Sequence, residues 1–260
     1  MNYNGGKTFT LKRGMGAFWR EYLTAHPVKR FVDVCCGSGA VASFVGKERP
    51  DMALVCNDLH SNAIALLRGV ARDGWVPPPT LSEKEYLALK MRALAGEVSP
   101  LVGFAGFGAS FSGQYFKGFA KPHAKQQDKA AASARALVAD APHLARAEFY
   151  NLDYADLPDA VGVCEGDVWY IDPPYAGTMG FRGIPKFNHA RFWQWAADLS
   201  QRVSVLVSEF AAPPEWEPMW SLVRKLETRN FQGVVRERVD QVFALPCLEW
   251  DAHLEREDAA

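Results

Sequence analysis

The pattern that most constrains the fold is a short apolar segment, residues 31–36, followed at once by Gly37-Ser38-Gly39 and by the helix-compatible residues 40–45. A strand, a Gly-x-Gly turn and a helix in this order open the nucleotide-binding unit of α/β proteins. The next apolar segment ends at Asp58, about twenty residues beyond the glycines, which is the spacing at which an acid meets ribose hydroxyls. No third glycine follows Gly39, which argues against a dinucleotide and favours a smaller adenosine-bearing ligand.

The second informative pattern is the tetrapeptide Asp172-Pro173-Pro174-Tyr175, which comes after the apolar residues 168–171. Two prolines forbid continuation of the run, so it is predicted to be a buried strand that ends at Asp172, where open α/β sheets place their chemistry. A carboxylate there can accept from the amine of a planar base, the backbone beside the prolines offers a second acceptor, and Tyr175 can stack on the ring. The alternative is a loop in which the prolines merely end the strand and Asp172 caps the next segment of the chain.

The chain length of 260 residues suits one substantial α/β domain with an insertion. The regular alternation of strands and helices stops at the prolines 77–79 and resumes near residue 147, so we expect a catalytic domain of residues 1–78 and 146–260 and a mostly helical insertion of residues 79–145. Within the insertion, Ser82 and Glu85 predict a capping box at the start of a helix that runs to residue 94. The Gly- and aromatic-rich residues 104–119 are predicted to be an irregular loop, and residues 129–139 a helix.

The second half of the chain continues the α/β pattern. A strand is expected near residues 147–150, an amphipathic helix at residues 189–200 and a strand at residues 203–207. Two apolar stretches, residues 231–239 and 242–245, are predicted to form a terminal antiparallel pair.

The composition indicates an ordinary soluble protein. No apolar stretch approaches membrane-spanning length, and the first residues lack a signal-peptide core. The five cysteines include no Cys-x-x-Cys pair, so we expect reduced thiols, no zinc site and a cytoplasmic location.

The net charge of −1 gives no overall argument for nucleic-acid binding, but the charges are unevenly distributed. Residues 1–30 carry six Lys or Arg and one acid, residues 113–135 carry five and one, and an acidic tail from residue 249 masks them in the total. These basic segments can neutralise phosphates, although charge runs are more often solvated faces.

Taken together, these motifs resemble the adenine-specific DNA methyltransferases of the Dam type (the D12 class), in particular the compact phage-borne members. The resemblance covers nearly the whole chain in the same order. It is carried by Tyr3-Asn4-Gly5-Gly6-Lys7, by Asp33 with Cys36-Gly37-Ser38-Gly39, by Asn57-Asp58, by Asn151-Leu152-Asp153, by Asp172-Pro173-Pro174-Tyr175 and by Ser208-Glu209-Phe210. A further stretch, residues 107–116, resembles part of the target-recognition insertion of phage relatives. The chain departs from many relatives in having Asp33 in place of Glu and Val34 in place of Pro.

The resemblance implies a class I S-adenosylmethionine-dependent methyltransferase fold, Rossmann-like, with a mostly parallel sheet and an antiparallel C-terminal strand pair. It also implies transfer of a methyl group from S-adenosyl-L-methionine to the N6 amine of a flipped-out adenine in double-stranded DNA, by a monomer that needs no metal. The cofactor contacts implied are Tyr3, Gly6, Lys7, Asp33, Cys36, Gly37, Gly39, Asp58, Asp153 and Asp172. The catalytic residues implied are Asp172, Pro173, Pro174 and Tyr175, and the expected DNA contacts are Tyr115, Lys117, Lys121 and Lys125.

Other functions remain open at this point. Relatives that act on RNA adenine share this core, as do relatives that act on protein glutamine through Asn-Pro-Pro-Tyr, although Asp172 disfavours the latter. A catalytically silent DNA-binding protein is a second alternative, against which the intact Asp172, Tyr175 and glycine motif argue. A nicotinamide dehydrogenase is disfavoured by the missing third glycine.

Overall fold

A computed structural model describes residues 1, 3, 5–122, 128–178, 184–227 and 235–246, with the backbone alone for residues 225–227 and 235–236. The described strands are β1 Arg30–Asp33, β2 Ala53–Asn57, β3 Glu148–Tyr150, β4 Asp167–Ile171, β5 Ser204–Glu209, β6 Glu217–Glu227 and β7 Val235–Ala244. The described helices are α1 Thr8–Thr10, α2 Gly16–Ala25, α3 Ala40–Glu48, α4 Ser61–Ala71, α5 Glu83–Leu94, α6 Pro100–Gly103, α7 Lys129–Leu144, α8 Leu157–Val161 and α9 His189–Ser200. Leu11–Met15 and Phe104–Gly108 are π-helical, and Phe111–Gly113 is a 3₁₀ turn.

The described strands form one seven-stranded sheet in the order β3-β2-β1-β4-β5-β7-β6. The first five strands in this order are parallel, and β7 pairs antiparallel with both β5 and β6. This is the Rossmann-like arrangement of class I S-adenosylmethionine-dependent methyltransferases, so the fold expected from the sequence is confirmed. The strand order reverses between β1 and β4, and a crevice forms at such a switch point beyond the carboxyl ends of the strands.

The sheet is buried on both faces because its central strands are apolar at nearly every position. Successive side chains of a strand point to opposite faces, and the two core clusters obey this rule. Phe31 and Tyr170 belong to the cluster that takes in α2, α3, α4 and the helices of residues 79–145. Val32 and Trp169 belong to the cluster that takes in α8 and α9. A strand such as β4 therefore cannot slip by one residue without exchanging its whole set of core contacts.

The segment of residues 79–145 is mostly helical, as its composition predicts, and it packs onto the same core as α3 and α4. The capping box is present, since Ser82 accepts from the Glu85 amide and Glu85 accepts from the Ser82 amide. Helix α7 runs five residues beyond the predicted end, to Leu144, and includes Pro142. The division of the chain into a catalytic domain and a recognition insertion stays a prediction.

The prediction of an irregular loop at residues 104–119 is wrong for its first part. Residues Phe104–Gly108 continue α6 as a fully buried π-helical turn. Glycine is needed there because neighbouring atoms come too close for a side chain. A Cβ at Gly106 would lie 2.2 Å from the Tyr115 ring, and a Cβ at Gly103 would lie 2.1 Å from the Asn62 carbonyl oxygen. Because the turn is apolar all round, it shows no periodicity that would identify a helix from sequence.

The C-terminal antiparallel pair is confirmed, but its strands lie elsewhere than predicted. The outer strand β6 spans Glu217–Glu227, and the single strand β7 takes in most of both predicted stretches. Residues 231–234 lie outside the described residues. The misplacement arose because β6 is an edge strand whose exposed positions include the apolar residues Met219 and Val223, so its sequence lacks the polar and apolar alternation that indicates a strand. Within the described parts of the chain, no helix is long and apolar enough to cross a membrane.

Candidate active site

A cavity of about 510 Å³ opens beyond the carboxyl ends of β1 and β4. Its walls come from the N-terminal segment, the turn after β1, the ends of β2 and β4, the middle of β6 and β7, and the start of α9. Twelve of the residues predicted from the sequence line it: Tyr3, Gly6, Lys7, Asp33, Cys36, Gly37, Asp58, Asp153, Asp172, Pro173, Pro174 and Tyr175. Motifs spread over most of the chain therefore meet at the switch point of the sheet.

The end of the cavity around Gly37 and Asp58, called here the glycine end, depends on backbone geometry. Gly37 and Gly39 have φ values of +50° and +68°, a left-handed conformation that glycine adopts without strain. The Asp58 carboxylate accepts from the Gly37 amide at 2.8 Å through Oδ2 and from the His60 amide at 2.8 Å through Oδ1. Asp58 thereby ties the turn after β1 to the turn after β2, while each oxygen keeps a lone pair for a ligand.

Gly39 stands behind this turn. It is the residue before α3, and a Cβ there would lie 3.2 Å from Leu67 and 3.3 Å from Leu144. Unlike Gly37, it does not line the cavity. Gly39 therefore supports the turn by packing closely on α4 and α7, and it does not itself contact the cavity.

Tyr3 covers the glycine end. A Cβ on Gly37 would lie 2.7 Å from the Tyr3 ring, and the Gly6 amide donates to the Tyr3 carbonyl at 3.1 Å. The Tyr3 ring also contacts Phe107 with 4.9 Å between ring centroids. Burial, together with the nearby Asp58, raises the pKa of Tyr3 well above its ordinary value, so its hydroxyl stays protonated. The predicted N-terminal motif thus packs directly on the glycine motif.

Asp33 is the last residue of β1 and is buried against the cavity wall. Its Oδ1 has no hydrogen-bond partner among the described residues. Burial raises the pKa of Asp33 well above its ordinary value, and the nearby Asp172 raises it further. Buried acceptors are normally satisfied, so this oxygen identifies a place where a donor from a ligand fits.

The opposite end of the cavity, around Asp172 and called here the acceptor end, is built on an ion pair. The buried Lys7 ammonium donates to Oδ1 of Asp172 and lies over the Tyr175 ring, 4.8 Å from its centroid. The pKa of Asp172 is raised by burial, and the charge and hydrogen bond of Lys7 oppose that rise. The ammonium is therefore a hydrogen-bond donor placed at once against a carboxylate and over an aromatic face.

Two residues of β5 hold this loop in place. Tyr175 hydroxyl and Ser208 Oγ are 2.9 Å apart, and the buried Glu209 accepts from the Ala176 amide at 3.0 Å and from the Phe210 amide at 2.8 Å. Phe210 packs edge-on against Tyr175, with 4.4 Å between ring centroids. Ser208-Glu209-Phe210 carried part of the family resemblance but received no site role. The sequence offered a signal for such a role, because these residues follow the predicted strand of residues 203–207, and open α/β sheets place their chemistry at the carboxyl ends of strands.

A third wall lies beside Asp153, whose Oδ1 accepts from the Ala155 amide at 3.0 Å. Tyr154 contacts Phe187 with 5.6 Å between ring centroids, and the Arg191 guanidinium lies 5.7 Å from the Tyr154 ring centroid. These three residues line the cavity and were not predicted. Their identity depends on the packing of α9 beneath the loop after β3, which no local motif encodes.

His60, to which the sequence assigned no chemistry, also lines the cavity. Burial lowers its pKa to about 4, so the ring is neutral at physiological pH. It packs against Phe107 and Tyr115 at 4.8 and 4.2 Å between centroids. In this state the imidazole is a wall of the cavity rather than a charge.

Of the predicted DNA contacts, the three that the structure describes, Tyr115, Lys117 and Lys121, do not line the cavity. The Tyr115 ring packs against His60 and its hydroxyl accepts from Asn62 at 3.0 Å. Lys117 is exposed, Lys121 pairs with Glu83 at 3.0 Å, and Lys125 lies outside the described residues. Contact of these residues with DNA stays a prediction. Among the described residues, no group of three or more His, Cys, Asp or Glu is placed to hold a metal ion.

No protein-family model matches the chain, and no curated protein matches it. A solved structure that it resembles is that of TrmN from Thermus thermophilus, with 13% sequence identity and a TM-score of 0.38 over 89% of this chain and 48% of that one. The chain thus spans about half the length of that protein. A likeness this low bears on neither function nor substrate, so the class of the protein is defined by its own sheet order and by its cavity.

Proposed function

We propose that the protein is an S-adenosyl-L-methionine-dependent methyltransferase that modifies the N6 amine of adenine in DNA. The observation that carries the proposal is the shared cavity, which has the glycine motif and Asp58 at one end and Asp172 with Tyr175 at the other. A methyl donor and a base amine need to be held facing each other at close range, and such positioning supplies much of the acceleration of a two-substrate reaction.

The residues of the glycine end fit the cofactor. The unpartnered Asp33 Oδ1 suits a cationic or N–H donor group, and the spare lone pairs of Asp58 suit ribose hydroxyls. Gly37 leaves room for the Tyr3 ring to pack against its backbone, and Tyr3, Gly6, Cys36 and Asp153 line the same cavity. When bound, the cofactor supplies a methyl group made electrophilic by a sulfonium.

The residues of the acceptor end fit an amine on a planar ring. A base amine that donates to Oδ1 of Asp172 above the Tyr175 ring would take the place of the Lys7 ammonium, which makes both contacts. The Pro173 carbonyl is a second acceptor beside it, and a carboxyl whose pKa burial has raised is well suited to take the proton that the amine loses. Lys7 is then both the partner that keeps Asp172 paired and the group that the base displaces.

Adenine in duplex DNA can reach this cavity only if it leaves the stack, at a cost of a few kcal/mol. Aromatic residues lower that cost by stacking on the base, and Tyr175 lines the cavity for this purpose. The choice of DNA rests on the resemblance of the ordered motifs, including residues 107–116 of the insertion, to Dam-type enzymes.

The test is to incubate the protein with methyl-labelled S-adenosyl-L-methionine and either unmethylated duplex DNA or RNA, then to digest the nucleic acid and identify the labelled nucleoside. N6-methyladenine from DNA, absent with the Asp172→Ala variant, is the expected result. Label in RNA alone would show that the substrate is RNA and not DNA. No label in either, with cofactor binding intact, would contradict nucleic-acid methylation altogether.

A further inference from the structure

Two arginines of the C-terminal hairpin face each other at the mouth of the cavity. Arg224 of β6 and Arg238 of β7 are cross-strand partners, and both line the cavity. Like charges directly opposite each other destabilise an antiparallel pair. The cost is removed when an anion lies between or beside them, so the pairing itself indicates an anion site.

One carboxylate is already present, but it serves a single arginine. The buried Asp240 pairs with Arg224, whose Nε is buried and has no hydrogen-bond partner among the described residues. Arg238 is exposed and stacks on Phe210, with its guanidinium carbon 4.3 Å from the ring centroid. It has no ion-pair partner in the described part of the chain. Its hydrogen-bond donors are therefore available to a ligand.

A third guanidinium, that of Arg13 in the N-terminal segment, lies against the same aromatic ring as Arg224, although Arg13 itself does not line the cavity. Phe9 is 48% exposed, and its ring contacts both Arg13 and Arg224, whose guanidinium carbons are 5.3 and 5.1 Å from its centroid. The hairpin and the N-terminal segment are held together at Gly14, where a Cβ would lie 3.4 Å from Trp220 Nε1. This packing fixes Arg13 beside the hairpin, so the positive charges are preorganised before any ligand binds.

We propose that the arginine patch, consisting of Arg13, Arg224 and Arg238, binds a backbone phosphate of the nucleic-acid strand whose base enters the cavity. The inference rests on the proposed function and names the contact that holds the substrate strand at that site. Arginine suits the task because its planar fork binds two phosphate oxygens at once and does not lose its charge. The stacked rings of Phe9 and Phe210 hold the guanidiniums at the mouth without neutralising them.

The double variant Arg13→Gln/Arg238→Gln tests the patch while leaving intact the ion pair between Arg224 and the buried Asp240. Binding of a labelled duplex is measured as a function of salt concentration, because each phosphate contact contributes about 0.9 to the slope of log K against log salt. We expect weaker binding to all sequences, a slope reduced by about 1 for the one phosphate contact, a raised KM for DNA and an unchanged Kd for the cofactor. The matched control is Arg68→Gln/Arg202→Gln, which removes the same charge from exposed residues that do not line the cavity.

If the wild-type protein methylates DNA and the double variant binds it with the same slope and KM, the patch is not a phosphate site although the proposed function stands. If both double variants lost the same DNA affinity, the loss would be explained by the change in overall charge, and this result would also overturn the inference. If the wild-type protein neither binds nor methylates nucleic acid, the inference and the proposed substrate fail together.

Discussion

The two ends of the cavity reach their geometry by different routes. At the glycine end, Asp58 and the Gly37 amide are 21 residues apart in sequence and joined by neighbouring parallel strands. At the acceptor end, Lys7 and Asp172 are 165 residues apart, and Glu209 holds Ala176 from 33 residues away. The Asp58–Gly37 contact lies within one unit of β1, α3 and β2, on which Tyr3 of the N-terminal segment packs, whereas the other end is assembled from the N-terminal segment and the loops after β4 and β5.

This difference also divides the chemistry. The glycine end offers backbone amides, an unpartnered carboxylate oxygen and space for a ligand, which are the requirements of binding. The acceptor end combines a buried carboxylate, an ammonium paired with it and an aromatic face, which are what the proposed reaction requires. Substitutions at the two ends should therefore separate cofactor affinity from turnover.

The largest effect is expected at Asp172. Asp172→Ala removes the acceptor for the amine and should lower kcat by about 10²- to 10⁴-fold, the range for loss of a positioned proton acceptor. The Kd for the cofactor, measured by calorimetry, should stay close to the wild-type value because the glycine end is untouched. Loss of cofactor binding in this variant would show that the two ends are not separable.

The reciprocal substitution is Asp58→Ala. Hydrogen bonds to a charged group contribute about 1.5–3 kcal/mol each, so the cofactor Kd should rise on the order of 10- to 100-fold. At saturating cofactor, kcat should recover most of its wild-type value, since Asp172 and Tyr175 keep their partners. A kcat that stays low at saturation would place Asp58 in the chemical step.

A smaller effect is expected at Glu209, whose carboxylate accepts from two backbone amides, that of Ala176 in the loop after β4 and that of Phe210. Glu209→Gln keeps one acceptor oxygen for two backbone donors, so Asp172 and Tyr175 should be held less firmly. We expect kcat to fall about tenfold, since small misplacements of reacting groups are costly, with the cofactor Kd unchanged. In Glu209→Ala, kcat should fall further, because both acceptor oxygens are lost. If both variants lost only thermal stability, Glu209 would be a structural residue without influence on the loop.

The smallest effect is expected on stability, at Asp33. Burial raises the pKa of Asp33 in the folded protein. The stability that Asp33 contributes is therefore fully present below its pKa in the unfolded chain, where the carboxyl is protonated in both states, and it is lost as the pH rises through its pKa in the folded protein. Asp33→Asn should therefore raise the melting temperature of the ligand-free protein by a few degrees, at about 2–4 °C per kcal/mol. The gain should be larger at pH 8 than at pH 4, and cofactor binding should weaken. A larger gain at pH 4 would contradict the direction of the shift.

Much of the fold could be read from the sequence because its signals are local. The buried strand before Asp172, the strand and Gly-x-Gly before α3, and the capping box at Ser82 and Glu85 each depend on residues within a few positions of one another. The π-helical turn at Phe104–Gly108 could not be identified in this way, since its glycines are explained by contacts such as that with Tyr115, which the folded chain packs on it. Strand β6 was missed because Met219 and Val223 are apolar although they are exposed, and this hides the period of two in the sequence.

The sequence by itself determined the order of motifs, the sheet that places them and the residue types at both ends of the cavity. Strand ends, tight turns and caps are set by local sterics and hydrogen bonding, and these forces act within a few residues. Only the tertiary structure decided that Lys7 pairs with Asp172, that Glu209 anchors the loop and that Arg13 joins Arg224 and Arg238. Those contacts join segments far apart in the chain, and whether an ion pair or an unpaired charge results depends on which side chains the packed core brings together.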